Sequence, residues 1–138
     1  MTKHTKELLK YIGLNEEDAE CKIDHWTETD EAAYICYDGG LGQSGIFELT
    51  ASNLYKHIDP SKSIYRSRLS NIRRKMGIKS FKDFTVDDWL RLLSCHDTAP
   101  SRYEIGSLFG TGGVESYDNK VTEIDSKKYM MYYINYFE

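Results

Sequence analysis

The sequence is short of the residues that define several common protein classes. Its 138 residues include only three cysteines and two prolines. Cys21, Cys36 and Cys95 are odd in number, far apart and not preceded by a secretory signal, so they do not suggest a disulfide framework. No apolar run approaches the length of a bilayer-spanning helix, and no basic amphipathic helix begins the chain. We therefore expect a protein of the reducing cytoplasm with no membrane role.

Residues that would build a catalytic or metal site are also scarce. Cys21 and His25 have the i,i+4 spacing of two ligands on one helix face. Cys95 and His96 would complete a Cys2His2 set, but adjacent residues rarely point at the same ion. Cys95 also lacks a positioned histidine, and the glycine-rich segments lack the lysine of a phosphate-binding loop. The sequence predicts no metal site, no cofactor and no enzymatic activity.

The charges that are present are separated along the chain. Residues 1–50 carry four lysines and eleven acids, a net charge of −7. Residues 51–82 carry nine Lys and Arg with one acid, a net charge of +8, and residues 83–138 have a net charge of −5. The formal net charge of −4 hides this pattern, which is typical of an electrostatic footprint on one part of a surface.

The basic segment is predicted to form a helix over residues 60–76. Asp59 is its expected N-cap, Pro60 its first residue, and Gly77 the left-handed residue that ends it. One side of this helix carries apolar residues at steps of three and four, and it should therefore face a core. This stripe consists of Tyr65, Leu69, Ile72 and Met76.

The opposite side of this helix is polar and strongly basic. No acid lies between Pro60 and Lys82, so the helix forgoes i,i+4 acid–base pairs worth about 0.2–0.5 kcal/mol each. Its arginines, serines and asparagine all donate hydrogen bonds to phosphates or base edges. We predict a nucleic-acid-binding face; the alternative is a face that docks on acidic parts of the same chain. The predicted contact residues are Lys62, Ser63, Arg66, Ser67, Ser70, Asn71, Arg73, Arg74, Lys75 and Lys79.

The remaining patterns predict one α+β domain over residues 1–138, with an antiparallel sheet and a helix-turn-helix-like central cluster. That cluster would pair a short helix, capped by Thr50, with the basic helix across an Asp-Pro turn. Thr85 and Asp88 have capping-box spacing ahead of a helix in which Trp89 is the expected core anchor. The predicted parts are N-terminal helices in 1–30, a β-hairpin with a glycine-rich turn in 32–49, the basic helical cluster in 51–94, and strands in 101–138.

The last segment, residues 129–137, is apolar or aromatic on both alternating faces. Such a strand is expected either at the centre of a sheet, covered on both sides, or at the interface of a homodimer. As an exposed edge it would invite aggregation.

Two functional hypotheses follow from these patterns. The first is a small intracellular regulator or accessory protein that binds nucleic acid, with duplex DNA as the favoured partner. Binding of single-stranded DNA or RNA is a variant of it, in which exposed tyrosines stack on bases. The second is an inhibitor or adaptor of the kind carried by phages and other mobile elements, which docks on a protein through its basic helix or its acidic N-terminal third. An acidic surface would then imitate nucleic acid toward a basic partner.

Overall fold

A computed structural model of the chain describes residues 1–37, 39, 41–61, 66–94 and 114–136. Within these ranges lie five α-helices and a five-stranded antiparallel sheet, which confirms the predicted α+β class. The helices are α1 Lys3–Tyr11, α2 Glu16–Lys22, α3 Ala51–Ile58, α4 Arg66–Lys75 and α5 Val86–Ser94, and a 3-10 turn covers Phe81–Asp83. The strands are β1 Ile23–Glu28, β2 Ala32–Tyr37, β3 Gly42–Glu48, β4 Val114–Ile124 and β5 Lys127–Tyr136.

The sheet separates the helices into two layers. Its strand order is β1-β2-β3-β5-β4, and every neighbouring pair is antiparallel. Helices α1 and α2 contribute Leu8, Leu9 and Ala19 to a core on one face. Helices α3, α4 and α5 cover the other face, where Trp89 and Leu92 are fully buried. The expected role of Trp89 as a core anchor is confirmed.

Strand β5 is shared by both cores because successive side chains of a strand point to opposite faces. Met130, Tyr132 and Ile134 pack with the three-helix layer, while Tyr129 and Met131 pack with α1 and α2. Strands β3 and β4 pair with the two sides of β5. This confirms the prediction of a central strand covered on both faces. Helices of the same chain therefore cover both faces of β5, so a partner subunit is not needed to cover them. The homodimer stays a prediction.

The predicted hairpin is confirmed by β2 and β3, but its glycine-rich turn is shorter than expected. Gly42 and Gly45 belong to β3 and pair with residues of β2 and β5. A Cβ atom at Gly45 would clash with the ring of Tyr132 on the neighbouring strand, and one at Gly42 would clash with Tyr37. These two glycines make room for cross-strand tyrosine rings instead of making a loop flexible.

The N-terminal region, for which helices are predicted within residues 1–30, also contains a strand. Both expected helices form, and Asn15 Oδ1 caps α2 by accepting from the Asp18 amide at 2.8 Å. The chain then continues as β1, which pairs with β2 at the edge of the sheet. Residues such as Ile23 and Trp26 favour strands, and β2 gives them a hydrogen-bonding partner that lies outside the local sequence.

The connection between α3 and α4 does not confirm a helix-turn-helix. Asp59 is left-handed, with φ 39°, and its N–H donates to the Tyr55 carbonyl at 2.8 Å, so it closes α3. An N-cap residue is extended, and therefore the prediction that Asp59 starts the basic helix is wrong. Pro60 and Ser61 form a turn, and the described part of the basic helix begins at Arg66. Residues 62–65 lie outside the described residues.

The other end of α4 matches its prediction. Gly77 has φ 76°, and its N–H donates to the Arg74 carbonyl while the Ile78 N–H donates to the Arg73 carbonyl. These two bonds are the Schellman arrangement, which a glycine permits without steric strain.

None of the helices described here is long and apolar enough to cross a bilayer. The predicted C-terminal strands are present as β4 and β5; the parts of that prediction that fall on residues 101–113 and 137–138 lie outside the described residues.

Candidate nucleic-acid interface

Helix α4 has an apolar side and a basic side, as its sequence predicts. Leu69 and Ile72 are buried in the three-helix core. Most of the polar residues of α4 are exposed to solvent: Arg66, Ser67, Arg68, Asn71, Arg74 and Lys75. Ser70 and Arg73 are half-buried, and Lys79, just beyond the helix, is exposed.

A concave surface lies beside the basic side of α4, and we call it the basic groove. It has a volume of about 480 Å³. Its walls are α4 on one side and, on the other, the end of α3, the turn at Pro60 and Ser61, and the segment Lys79 to Phe81. Seven of the ten predicted contact residues line it: Arg66, Ser67, Ser70, Asn71, Arg73, Arg74 and Lys79.

The three other predicted residues are placed differently. Lys75 is exposed on α4 but does not line the basic groove. Lys62 and Ser63 lie outside the described residues. The structure therefore brings together the part of the predicted site that extends from Arg66 to Lys79.

The described lining of the basic groove has charges of one sign. It contains four cations and no acid, together with hydroxyl groups and one amide. The ion pairs found among the described residues join other cations, such as Lys3 and Lys22, to acids elsewhere on the surface. Arg66, Arg74 and Lys79 take part in none of these pairs. The alternative that the basic face docks on acids of the same chain thus gains no support from the described residues.

Arg73 has a structural role that its sequence position does not reveal. Its Nη1 donates to the carbonyl oxygens of Ile78 at 2.7 Å and Lys79 at 2.6 Å. Its guanidinium carbon also lies over the Phe81 ring, 5.5 Å from the centroid. These contacts hold the segment after α4 against the helix, and this segment forms one wall of the basic groove. A phosphate contact by Arg73 stays a prediction.

Arg74 is oriented by a neighbour on its own helix. Its Nη1 donates to Asn71 Oδ1 at 3.0 Å, and the two residues are one turn apart on α4. Because this bond uses the amide oxygen of Asn71, the amide nitrogen keeps both of its donor hydrogens. The pair therefore presents donors to the basic groove.

The aromatic residues of the basic groove were not predicted as site residues. Tyr55 reaches it from α3, and Phe81 reaches it from the 3-10 turn. Phe81 stacks on Trp89 with ring centroids 5.7 Å apart. Nothing in the local sequence around Tyr55 indicates that it faces α4, since this placement depends on how α3 and α4 pack. The run Lys79-Ser80-Phe81, which begins two residues after the helix-ending Gly77, is the sequence signal that could have placed Phe81 close to α4.

The predicted absence of a metal site is not contradicted by the described residues. Among them, no group of three His, Cys, Asp or Glu side chains is arranged to hold an ion. Cys21 lies near the end of α2 and His25 lies on β1, so the two do not share a helix face. Cys95 and His96 fall outside the described residues.

Comparison of the chain with protein-family models, with curated proteins and with solved structures found no significant match.

Proposed function

We propose that this protein binds nucleic acid through the basic groove and acts as a regulator or accessory protein. The observation that carries the proposal is a concave surface whose described lining has four cations, several hydroxyl groups and no acid. A nucleic-acid backbone carries a phosphate charge at each nucleotide. Arginine, lysine, serine and asparagine are the side chains that commonly bond to it.

The length of the basic groove suits a run of phosphates. Arg66 and Arg74 are eight residues apart on α4, which is about 12 Å along a helix that rises 1.5 Å per residue. That length corresponds to roughly three to four phosphate steps of one strand, whose axial spacing is about 3.4 Å in a duplex. Lys79 approaches from the opposite wall. Cations on both walls would hold a backbone that lies between them.

Phosphate contacts alone fix position but carry no sequence information. Ser67, Ser70 and Asn71 line the basic groove beside the arginines and would supply any contacts to bases. Duplex DNA is the partner that the sequence favours, and the cationic lining supports binding of any nucleic acid.

The test replaces two groove cations and follows binding across a salt series. We expect the double variant Arg66→Ala with Arg74→Ala to bind a labelled duplex more weakly at every sequence. The slope of log affinity against log salt should also fall by about 0.9 for each lost phosphate contact, because fewer counterions are released.

The matched control removes two cations elsewhere, with Lys10→Ala and Lys127→Ala. Both lysines are exposed, on α1 and β5, and neither lines the basic groove. This control loses the same formal charge, so it separates a local contact from a change in net charge. Equal losses in both double variants, or no loss in either, would contradict the proposal.

A second candidate function, an inhibitor or adaptor that binds a protein, is supported by the acidic edge of the sheet. Strand β1 is an edge strand, and Asp24, Asp30 and Glu31 on it and on the following turn are exposed. An edge strand with a single charge sign suits a basic partner. This second function would be favoured if the protein binds no nucleic acid at low salt and co-purifies in equal amounts with one other protein.

A further inference from the structure

A second hollow adjoins the basic groove. It has a volume of about 340 Å³ and is lined by Ala51, Ser52, Tyr55, Phe81, Lys82 and Phe84. Tyr55 and Phe81 also line the basic groove, so the two concave surfaces meet at these two rings. We call this second surface the aromatic hollow.

The two surfaces differ in chemistry. The described lining of the basic groove is cationic and rich in hydroxyl groups, whereas that of the aromatic hollow is mostly aromatic and apolar with Lys82 as its cation. A single strand of nucleic acid alternates charged phosphates with flat apolar bases. Proteins that bind such strands combine a cationic track for the backbone with aromatic side chains on which bases stack.

Tyr55 is the aromatic side chain that remains available for a base. Phe84 is only 4% exposed. Phe81 already stacks on Trp89 and carries the Arg73 guanidinium over its ring. Tyr55 is half-buried, and its ring meets Trp89 at an interplanar angle of 70°, an edge contact that is not a stack.

A duplex is a poor match to this pair of surfaces. Its bases are paired and stacked inside the helix, so a base reaches a pocket beside the backbone only when it is flipped out, at a cost of a few kcal/mol. The described part of α4 also forms the wall of a concavity.

We propose that the basic groove and the aromatic hollow together bind a single strand of DNA or RNA. Successive phosphates lie along Arg66, Arg74 and Lys79, and an adjoining base stacks on Tyr55. Lys82 meets the backbone where it leaves the aromatic hollow. This inference rests on the proposed function and specifies which form of nucleic acid the site takes.

The test compares short labelled oligo-dT, oligo-U and duplex DNA on the full chain at low salt. We expect the wild-type protein to bind a single strand at least about 10-fold more tightly than duplex, since only unpaired bases stack on an aromatic side chain without flipping. Tyr55→Leu should weaken single-strand binding roughly 5- to 150-fold, the loss of one base–aromatic stack. Tyr55→Phe keeps the ring and should keep the affinity.

Lys82→Ala is the second variant, because Lys82 is exposed and its replacement leaves the core untouched. It should weaken binding of the single strand more than binding of the duplex. Thermal unfolding of each variant shows whether it is folded. Tight binding of either oligo-dT or oligo-U supports the inference, and their ratio shows which sugar is preferred.

The outcomes separate this inference from the proposed function. Duplex binding at least as tight as single-strand binding, with no effect of Tyr55→Leu or Lys82→Ala, would overturn the inference. If the double variant Arg66→Ala with Arg74→Ala lost this duplex binding, the proposed function would stand although the inference had failed. No binding of any of the three nucleic acids would remove both.

Discussion

At the scale of the residue, the hydrogen bonds of His57 fix which ring nitrogen always carries a proton. Its Nδ1 lies 2.8 Å from the carbonyl oxygen of Asn53, and its Nε2 lies 2.5 Å from the hydroxyl of Tyr34. A carbonyl only accepts, so Nδ1 carries a proton, and in the neutral ring Nε2 accepts from the tyrosine. The ring also stacks on Phe47 with centroids 4.0 Å apart. These contacts fit the neutral imidazole.

This environment makes the stability of the protein depend on pH. Burial lowers the pKa of His57 below its ordinary value of 6.5, the Lys56 charge lowers it further, and the bond to the Asn53 carbonyl opposes both. The unfolded chain therefore binds a proton more readily than the folded one. The contribution of His57 to the free energy of unfolding is complete above its ordinary pKa and is lost as the pH falls below it.

We expect the free energy of unfolding to fall between about pH 7.5 and about pH 5, and to fall less in His57→Gln. Urea unfolding at a series of pH values measures the free energy of unfolding of the wild type and of His57→Gln. His25→Gln is the matched control because His25 is exposed on β1. If the two variants and the wild type change in parallel, His57 is not the group responsible.

At the scale of the element, α5 shows how a local signal fixes the start of a helix. The Thr85 N–H donates to Asp88 Oδ2 at 2.9 Å, and the Asp88 N–H donates to Thr85 Oγ1 at 3.2 Å. This is the capping box that the sequence predicts, with Asp in place of the more usual Glu. It sets the position of Trp89, on which Phe81 of the basic groove stacks.

Replacing the cap should destabilise the protein without changing its groove chemistry. Thr85→Ala removes the acceptor of the Asp88 N–H, and we expect it to lower the free energy of unfolding by about 1 kcal/mol. Thr85→Ser keeps the hydroxyl and should cost much less. Denaturant unfolding of the wild type and the two variants measures this. An equal loss of unfolding free energy in Thr85→Ala and Thr85→Ser would show that the hydroxyl does not stabilise the helix.

The elements that could be predicted from the sequence are those whose ends depend on nearby residues. Three such signals act within about one turn of the helix: the cap at Asn15, the glycine at position 77 and the capping box at Thr85. The residues next to each helix end therefore contain the whole signal. Strand β1 was missed because its hydrogen-bonding partner is β2, not its own neighbours. Asp59 was assigned to the wrong helix because one residue can close the preceding helix or open the following one.

The same distinction applies to the candidate site. The basic side of α4 follows from helical periodicity, so its exposed arginines were predictable. The opposite wall was not, since Tyr55 and Phe81 reach the basic groove only through the packing of α3 and the 3-10 turn. The structural bonds of Arg73 were equally hidden, because they join its side chain to backbone carbonyls after the helix.

At the scale of the whole molecule, the sheet lies between the basic groove and the acidic first turn of α2. The three-helix layer carries the basic groove, while the acidic first turn of α2 belongs to the layer on the other face of the sheet. A net charge of −4 is therefore compatible with a locally positive surface. The acidic first turn of α2 would repel a polyanion, whereas the basic groove would attract it.

The measurement that tests this account most directly is an NMR titration of the uniformly 15N-labelled protein with short oligo-dT and with duplex DNA at low salt. Binding at the basic groove should change the amide shifts of residues 66–81 and Tyr55, and should leave those of α1 and α2 unchanged, because the sheet lies between the two layers. The changes should shrink as salt is added. Shifts confined to α1, α2 and β1, or no shifts with either nucleic acid, would contradict the account.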